Sequence, residues 1–324
     1  MIVYVGACAL TFPLAGWSQQ AGKVWRIGYL DYGTREASLD SGRLPAVKAG
    51  LVEQGYVEGK NIVFESRYAN GDLVRLDEMA RELAQQKVDL ILTVGSEAIA
   101  ALRRATTTIP IVVILTTDPV GEGNAITLAR PGYNLTGMTN GQVDTVQKLI
   151  ELLVLAVPQT KRIAVLTNPT NRSGAKMLQQ VQVAIRQTGK EAVPFTASTP
   201  EEIVRSFEMM AREHVDALVL PADTYLISRR DQISDLALKQ RLPLVTQSLL
   251  FAEVGGLMSY GANARDNAGR AGIFVEKILK GAKPGDIPFE QPTRYYLVIN
   301  RKTATALGIK LDSQLLARAD RVID

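Results

Sequence analysis

An anion-binding loop is the first chemistry that the sequence offers. Ser96 follows the apolar run 88–94 (VDLILTV) and precedes residues 97–105 (EAIAALRRA), which have helical composition. The free backbone N–H groups at the start of such a helix favour a carboxylate, and the Ser96 hydroxyl adds a donor. A simple helix N-cap explains Ser96 equally well, so the sequence leaves both roles open.

Recognition of an amine is the second chemistry. Asp118 and Asp223 each follow an apolar run and are a candidate pair of carboxylates, and Asp223 could receive an ammonium group. Tyr32 and Tyr225 could supply aromatic walls to the same ligand. Loop-capping aspartates and surface tyrosines are equally consistent with the sequence, because nothing in it fixes the distances between these residues.

Familiar catalytic and metal-binding patterns are missing from the sequence. It has no HExxH, GxSxG or CxxC motif, and its single histidine, His214, lies where a predicted helix ends before a strand. Gly59-Lys60 lacks the spacing of a phosphate-binding loop, and Gly121-Glu122-Gly123 lacks the third glycine of a dinucleotide fingerprint. We therefore predict no catalytic residue, no metal site and no cofactor.

Length and composition are those of a soluble globular protein. The 324 residues suffice for two domains, and 46% of them are hydrophobic and 22% charged. The net charge of +4 is spread along the chain, without a run of five or six Lys and Arg residues. Because nucleic-acid surfaces usually carry a clustered basic patch, we predict no nucleic-acid partner.

The N-terminal segment resembles an export signal. Residues 1–22 carry no charged side chain and include an apolar stretch over 2–14, with a plausible cleavage position after Ser18. The usual basic n-region is missing, and a buried N-terminal strand is the alternative. Cys8, the only cysteine, lies in this segment, so the mature chain would have no disulfide or cysteine zinc site. Cys8 lies too close to Met1 for lipid anchoring through it to be expected, and we predict a periplasmic protein.

The polar loops are positioned by a strand–helix–strand unit. Residues 88–94 and 111–115 are short apolar runs of the kind that buried parallel strands need, with the helical segment between them. Parallel strands bring their following loops to one edge of the sheet, where open α/β sheets bind ligands.

The same sequence pattern recurs later in the chain. Residues 214–224 (HVDALVLPADT) match 87–97 (KVDLILTVGSE), 242–245 (LPLV) match 109–112 (IPIV), and 162–166 (RIAVL) match 26–30 (RIGYL). Three matches in the same order predict two lobes of one design. General similarity among α/β units is the alternative.

Local signals place the helices of the second half. Thr199-Pro200-Glu201-Glu202 combines an N-cap, a proline at the first helical position and a capping-box glutamate. One helix is predicted over about 226–239, and an extended segment over 256–260. Strands that alternate with helices predict parallel sheets with covered faces.

Five segments resemble, in order and spacing, the substrate-binding proteins of a class of bacterial ABC transporters that includes the tryptophan-binding lipoproteins of Gram-positive bacteria. The segments are 55–61 (GYVEGKN), 106–118 (TTTIPIVVILTTD), 130–137 (RPGYNLTG), 255–261 (GGLMSYG) and 316–320 (LARAD). The resemblance covers residues 24–324. The chain departs from the family pattern in its missing basic n-region and in its first loop, where Asp31-Tyr32-Gly33 replaces a more usual serine-rich sequence.

This resemblance implies an α/β fold of two similar Rossmann-like lobes with parallel sheets, the type I periplasmic binding protein architecture, with a ligand cleft between the lobes. We assign residues 24–139 plus 258–290 to lobe 1 and 140–257 plus 291–324 to lobe 2. Loops at matching strand ends would then face each other across the cleft: 31–34 against 168–171, Ser96 against Asp223, and Asp118 against Gln247. Tyr260 would lie near a chain crossing, where packing in the hinge is an equally good explanation. The predicted ligand-binding residues are Asp31, Tyr32, Thr34, Ser96, Thr117, Asp118, Asn168, Asn171, Asp223, Gln247 and Tyr260.

The function implied is that of an exported solute-binding protein, which captures a small organic acid or amino acid by lobe closure. An aromatic ligand is one candidate. Its expected partners are the ligand and the permease and ATPase subunits of an ABC importer, and the protein itself is expected to be a monomer. One alternative is an enzyme on a two-lobed α/β scaffold. Another is a ligand-sensing regulator related to the lac-repressor class, but an export-like segment occupies the place of the helix-turn-helix that such a regulator needs.

Overall fold

The structure, a computed structural model, describes residues 23–324, except for the side chains of residues 142–144. The predicted signal segment, with Cys8 and the cleavage position after Ser18, lies outside the described residues. None of the helices within residues 23–324 has the length and apolar composition needed to cross a membrane.

The first lobe is built on a five-stranded sheet that is parallel throughout, in the order β2-β1-β3-β4-β5. Its strands are β1 (Trp25–Asp31), β2 (Ile62–Tyr68), β3 (Leu90–Val94), β4 (Ile111–Thr116) and β5 (Leu135–Thr139). The helices between them are α1 (Arg35–Asp40), α2 (Arg43–Glu53), α3 (Leu73–Gln85) and α4 (Ser96–Ala105). All five residues of β3 are buried, because helices cover both faces of the sheet.

The second lobe is built on a seven-stranded sheet. Its first part contains α5 (Gln142–Ala156), β6 (Arg162–Thr167), α6 (Gly174–Gln187), β7 (Glu191–Thr196), α7 (Pro200–Arg212), β8 (Ala217–Leu220), α8 (Thr224–Ser228), α9 (Arg230–Lys239), β9 (Leu244–Thr246), α10 (Leu250–Glu253) and β10 (Met258–Gly261). After α11 (Ala264–Leu279) the chain adds β11 (Tyr296–Asn300), α12 (Arg301–Leu307), α13 (Ser313–Ala317) and β12 (Arg321–Ile323).

The two sheets repeat one strand order, as the internal sequence matches predict. The order β2-β1-β3-β4-β5 of the first sheet returns as β7-β6-β8-β9-β10 in the second. The second sheet then continues with β11, which is antiparallel to β10, and with β12. Because the strands run parallel within each repeat, the loops after β1, β3 and β4 share one edge, and the loops after β6, β8 and β9 share another.

One strand differs from the sequence-based assignment to lobes. Met258 begins β10, which pairs with β9 and β11 in the second sheet, whereas the sequence analysis places this strand in lobe 1. The chain returns to the first lobe only after Gly261, where α11 begins and packs against α2 and β4. The physical reason is that Met258 and Ser259 are buried partners of β9. The remaining division of the chain into lobes stays a prediction.

A second difference concerns one helix of the second lobe. The helix predicted over about 226–239 is two helices, α8 and α9, separated by Arg229, whose backbone is not helical. The predicted start of α7 is confirmed, since the Thr199 hydroxyl accepts from the N–H of Glu202 at 3.2 Å. The Glu202 carboxylate accepts from the N–H of Ser198 at 2.7 Å.

Close contact between α2 and α11 depends on glycine. A Cβ added at Gly50 would lie 2.2 Å from the carbonyl oxygen of Gly269, and one at Gly272 would lie 2.8 Å from the carbonyl carbon of Gly50. A Cβ at Gly269, in contrast, would meet only the Ala46 oxygen, at 3.8 Å. The two helices therefore approach so closely that α11 is fixed on the first lobe.

Gly50→Ala is expected to lower the free energy of unfolding by about 1–3 kcal/mol, because the added methyl group overlaps backbone that cannot move aside. Gly269→Ala is the matched control. It adds the same methyl group where space exists, and should be neutral or stabilising by up to about 1 kcal/mol through helix propensity. Urea unfolding of both variants measures the difference. Equal effects would show that the Gly50 contact is not tight.

Candidate functional site

The loops at the two sheet edges contact each other directly. On one flank Asp118 of the first lobe forms an ion pair with Lys176 of the second. On the other, Arg230 of the second lobe bonds Asp40 of the first at 3.0 Å. The lobes are thus closed on each other, and side chains between them, such as Glu97 and Asp223, are buried.

Two carboxyl groups from opposite lobes are buried together at this centre. Glu97, in the first turn of α4, is 4% exposed, and neither of its carboxyl oxygens has a hydrogen-bond partner in the described part of the chain. Asp223, which follows β8 and is the N-cap of α8 in the second lobe, is also 4% exposed. Burial, together with the negative charge of Asp223, raises the pKa of Glu97 to about 8.

Asp223 is the member of this acidic pair that accepts hydrogen bonds from the protein. Its carboxylate accepts from the backbone N–H of Leu226 at 2.8 Å, from Asn171 Nδ2 at 2.8 Å and from Asn168 Nδ2 at 3.5 Å. Burial raises the pKa of Asp223, and these N–H donors oppose that rise. Because the donors favour the ionised form of Asp223, the proton that the pair retains at neutral pH lies on Glu97.

A third buried carboxylate engages the hydroxyl of Ser96. Ser96 Oγ donates to Glu122 Oε1 at 2.6 Å, and Ser173 of the second lobe donates to the same oxygen. Burial raises the pKa of Glu122. Ser96 is the first helical residue of α4, and its N-cap is Gly95, with φ 85°. The N-cap explanation of Ser96 is therefore wrong, and in this conformation its hydroxyl already serves a carboxylate of the chain.

Two tyrosines from opposite lobes meet beside the acidic pair. Tyr32 and Tyr225 are each 2% exposed, with ring centroids 6.2 Å apart and ring planes at 43°. Burial, and next the charge of Glu97, raise the pKa of Tyr32 to about 12. The surface explanation of these tyrosines is wrong, and their rings form an aromatic wall at the lobe interface.

The predicted residues of the first strand-end loop hold the loop itself in place. Asp31 accepts from Tyr29 Oη at 2.8 Å and from the N–H of Gly33 at 2.9 Å, and it pairs with Arg43 at 3.3 Å. Thr34 caps α1 by accepting from the Ala37 N–H. Asp31 and Thr34 thus shape the loop that presents Tyr32.

The predicted pairing of Asp118 with Gln247 is not present. Asp118 accepts from the N–H of Gly121 and pairs with Lys176, and this positive charge lowers the pKa of Asp118 against the opposing effect of burial. Gln247 instead donates to Thr145 Oγ1 at 2.6 Å and accepts from the Ala222 N–H at 3.1 Å. The carboxyl group beside Asp223 is accordingly that of Glu97, not that of Asp118.

Two further predicted residues lie at the chain crossings between the lobes. Thr117 accepts from Asn140 Nδ2 at 3.4 Å. Tyr260 packs its ring against that of Tyr295, with centroids 6.1 Å apart, so it fits the alternative of packing in the hinge.

Two cavities flank the central contacts. The larger, of 290 Å³, is lined by both lobes and by the crossings, and the smaller, of 250 Å³, lies on the opposite side beside the Asp118–Lys176 pair. The lining of the larger one includes Arg43, Leu115, Asn140, Ile227, Gln247 and Arg265. Among the side chains that the structure describes, no His, Cys, Asp and Glu residues group in threes as metal ligands would.

Sequence reasoning missed Glu97, Glu122 and Arg43. Glu97 directly follows Ser96 in a loop already identified as functional, so its position was a usable signal. Glu122 was considered only as part of an incomplete dinucleotide fingerprint, and nothing local marks Arg43, which begins α2.

The chain matches a known protein family over most of its length. A sequence profile of the family described as ABC transporter substrate binding protein matches residues 38–323. The tyrosine-binding protein of Clostridioides difficile (strain R20291) is 26% identical over 273 residues, which are 84% of this chain and 78% of that protein.

Solved structures show the same similarity. The crystal structure of an ABC domain in complex with L-Trp from Streptococcus pneumoniae matches with a TM-score of 0.87 and 26% identity, over 93% of this chain and all of that one (100%). The ligand-free, open structure of a substrate-binding protein with adhesive properties from Clostridium difficile, 25% identical, matches with a TM-score of 0.66 over 93% of this chain and 99% of that one. The lobes described here are therefore arranged more like those of the ligand-bound relative.

Proposed function

The chain belongs to the family of ABC transporter substrate-binding proteins, and we propose that it captures an amino acid, with an aromatic side chain, between its two lobes. The family consists of extracytoplasmic solute-binding components and not of enzymes. Membership in it therefore argues against both alternatives from the sequence analysis, the two-lobed enzyme and the ligand-sensing regulator. The finer statements, which concern the ligand, the contacts and the route of delivery, are the proposal.

The buried acidic pair is the observation that carries the proposal. Glu97 and Asp223 approach from opposite lobes and are each 4% exposed, and neither oxygen of Glu97 has a hydrogen-bond partner among the described residues. An ammonium group between them would supply the missing positive charge and hydrogen bonds. A primary amine contacted by both lobes would also favour the closed form, as ligand capture requires.

The aromatic wall supports an aromatic side chain on the ligand. Tyr32 and Tyr225 lie beside the acidic pair, where their rings can pack against a flat apolar group. Relatives of the chain are described as binding tyrosine and as a complex with L-Trp. The proposed contacts are thus Glu97 and Asp223 for the amine and the two tyrosines for the side chain.

The proposal also includes the export of the protein and the delivery of its ligand to a transporter. We propose that the N-terminal segment directs export to the periplasm, that the mature protein acts as a monomer, and that the closed form docks on the permease and ATPase of an ABC importer. Family membership supports this route, since such proteins serve ABC transporters.

L-Tyrosine and L-tryptophan are expected to raise the melting temperature of the mature protein and to make it more compact. A ligand at about 100 times its Kd adds about 2.7 kcal/mol to the stability of the native state, which raises Tm by several degrees. Thermal-shift assays with the twenty amino acids, followed by small-angle scattering with the best of them, test both parts. Glucose and inositol serve as solutes without an amine. The proposal is wrong if no amino acid shifts Tm, or if a saturating one leaves the radius of gyration unchanged.

A further inference from the structure

Glu122 of the first lobe lies between the N-terminal ends of two helices from opposite lobes. Its Oε1 accepts from the hydroxyl of Ser96, the first residue of α4, and from that of Ser173, the N-cap residue of α6. The partial positive charges at the starts of α4 and α6 both favour a carboxylate at this place. One carboxyl group therefore joins a helix of the first lobe to a helix of the second.

The hydroxyl of Ser173 serves the opposite lobe instead of its own helix. A serine at an N-cap usually accepts from a backbone N–H of the first helical turn, but the Ser173 side chain makes no such bond in α6. Ser173 is 3% exposed, so its hydroxyl is removed from water, and it donates to Glu122. The two serine donors favour the ionised form of Glu122, against the effect of burial on its pKa. A hydrogen bond to an ionised acceptor is stronger than one between neutral groups.

Contacts within the first lobe hold Glu122 in position. Its backbone N–H donates to the carbonyl oxygen of Asp118 at 3.0 Å, and its Oε2 accepts from Asn124 Nδ2 at 2.9 Å. Arg103 of α4 in turn donates to Asn124 Oδ1 at 3.2 Å. Since the carboxylate is already positioned by its own lobe, closure gains the bond from the second lobe without the cost of ordering a loop.

The bond across the lobes is connected to both members of the acidic pair. On the first lobe, Ser96 immediately precedes Glu97 in the first turn of α4. On the second, the N–H of Ser173 donates to Asn171 Oδ1 at 2.9 Å, and Asn171 Nδ2 donates to Asp223 at 2.8 Å. The bond therefore fixes, relative to each other, the two segments that present the acidic pair.

We propose that Glu122 and Ser173 form a latch that holds the two lobes closed and positions the acidic pair for the ligand. Only the second part of this inference rests on the proposed function, because the latch itself acts with or without ligand. The ion pair between Asp118 and Lys176 joins the same loop to the same helix, but 57% of the Lys176 side chain is exposed, and such pairs contribute little. The latch thus stabilises the closed form independently of the ligand, and ligand release requires that it open.

Ser173→Ala tests the latch, because it removes the donor of the second lobe and leaves Glu122 its two donors within the first. The ratio of closed to open protein is expected to fall about tenfold to about a hundredfold, since a hydrogen bond to a charged group is worth that much. Ser206→Ala is the matched control. It removes a similarly buried hydroxyl, which donates to the Thr196 carbonyl oxygen within the second lobe, and should leave the ratio unchanged.

Spin labels measure this ratio in the mature protein without ligand. Cys8 is the only cysteine of the sequence and lies in the predicted signal segment, so two introduced cysteines are the only ones labelled. Glu36→Cys on α1 and Asp231→Cys on α9 place the labels on exposed residues of opposite lobes, on the flank opposite to the latch. Pulsed dipolar spectroscopy then gives the closed and open distances. A natural protein that is wholly open, or a ratio that Ser173→Ala leaves unchanged, overturns the latch.

A double-mutant cycle identifies the partner of Ser173. In the background of Glu122→Ala, Ser173→Ala should have no further effect on the ratio of closed to open protein, because both substitutions remove the same bond. Additive effects of the two substitutions would show that Ser173 acts through another contact, and would overturn the latch.

Ligand release separates the latch from the proposed function. L-Tryptophan is expected to dissociate about tenfold to about a hundredfold faster from Ser173→Ala than from the natural protein. Its association rate should change less than about threefold, because the latch forms only after the ligand has entered. Stopped-flow fluorescence measures both rates. If L-tryptophan binds the natural protein but leaves Ser173→Ala at the same rate, the latch is wrong and the proposed function stands. If neither L-tryptophan nor L-tyrosine binds while Ser173→Ala still lowers the ratio, the latch stands and the proposed function is wrong.

Discussion

Glu97→Gln is expected to remove most of the affinity for an amine-bearing solute and, at alkaline pH, to stabilise the ligand-free protein. The Glu97 carboxyl group is buried, lies beside Asp223 and accepts no hydrogen bond from the described residues. Glutamine has nearly the same shape but cannot ionise. It therefore relieves the repulsion that ionisation of Glu97 causes, and it also removes the carboxyl group that a bound ammonium group would ionise and pair with.

The raised pKa of Glu97 determines in which direction the stability of the protein changes with pH. The pKa of Glu97 is about 8 in the folded protein, compared with 4.5 in the absence of burial. Between those values the folded protein holds a proton that the unfolded chain has lost, so the proton's contribution to stability is complete below pH 4.5 and disappears as the pH rises through 8. The melting temperature of the ligand-free natural protein should fall across this range, and that of Glu97→Gln should fall less.

The loss of ligand affinity is expected to be the larger of the two effects of Glu97→Gln. Removal of one partner from a buried charged contact costs about 2–5 kcal/mol, which is about thirtyfold to several thousandfold in Kd. Titration of both proteins with L-tryptophan at neutral pH measures it. Glu36→Gln, which removes an exposed negative charge from α1 of the same lobe, is the control. Unchanged affinity together with an unchanged pH slope would show that Glu97 is neither the proton carrier nor a ligand contact.

The fold was largely accessible from the sequence because its signals are local. The apolar run LILTV predicts a fully buried strand, and β3 is one. The internal matches predict two lobes of one design, which the shared strand order confirms. β10 was assigned to the wrong sheet because its short sequence, MSYG, states where an extended segment lies but not which neighbour it pairs with.

The site was accessible only in part, because its chemistry depends on contact between the lobes. Asp223 and Asn171 follow buried strands, and this placed them at the functional edge. Glu97 occupies the first turn of a helix, where an acid is normally exposed and stabilises the helix dipole. Its burial arises because the second lobe closes over it, so closely that a Cβ at Gly95 would lie 2.4 Å from Thr224 Oγ1. No local pattern reports such a contact.

The symmetry between the two repeats also predicted the contacts between their loops only in part. It predicted that Asp118 would face Gln247, since both follow the fourth strand of a repeat. The two loops differ in their surroundings, however: Lys176 on α6 reaches Asp118, and Gln247 turns toward the crossing to contact Thr145. Equivalent positions in the two sheets thus acquire different partners once the helices around them differ.

Asp223→Asn is expected to weaken the binding of amine-bearing solutes by about a hundredfold or more and also to destabilise the protein. The loss of binding follows from removal of the carboxylate that stays ionised beside Glu97. Asparagine remains a good N-cap, so its oxygen can still accept from the Leu226 N–H. Its amide group, however, points an N–H donor toward Asn171 Nδ2, which is a donor itself. One buried donor is then left without a partner, at a cost of about 1–3 kcal/mol.

A compensating substitution separates these two effects. In the double variant Asp223→Asn with Asn171→Asp, the amide at 223 can donate to the carboxylate at 171, whose other oxygen still accepts from the Ser173 N–H. The melting temperature should return toward that of the natural protein, while affinity for L-tryptophan stays low, because the charge has moved away from Glu97. Asp118→Asn, which neutralises a half-exposed loop carboxylate paired with Lys176, serves as the control and should change affinity less than about fivefold. If Asp223→Asn binds L-tryptophan as the natural protein does, or if the double variant recovers affinity together with stability, Asp223 only supports the loop and the ammonium group is bound elsewhere in the cleft.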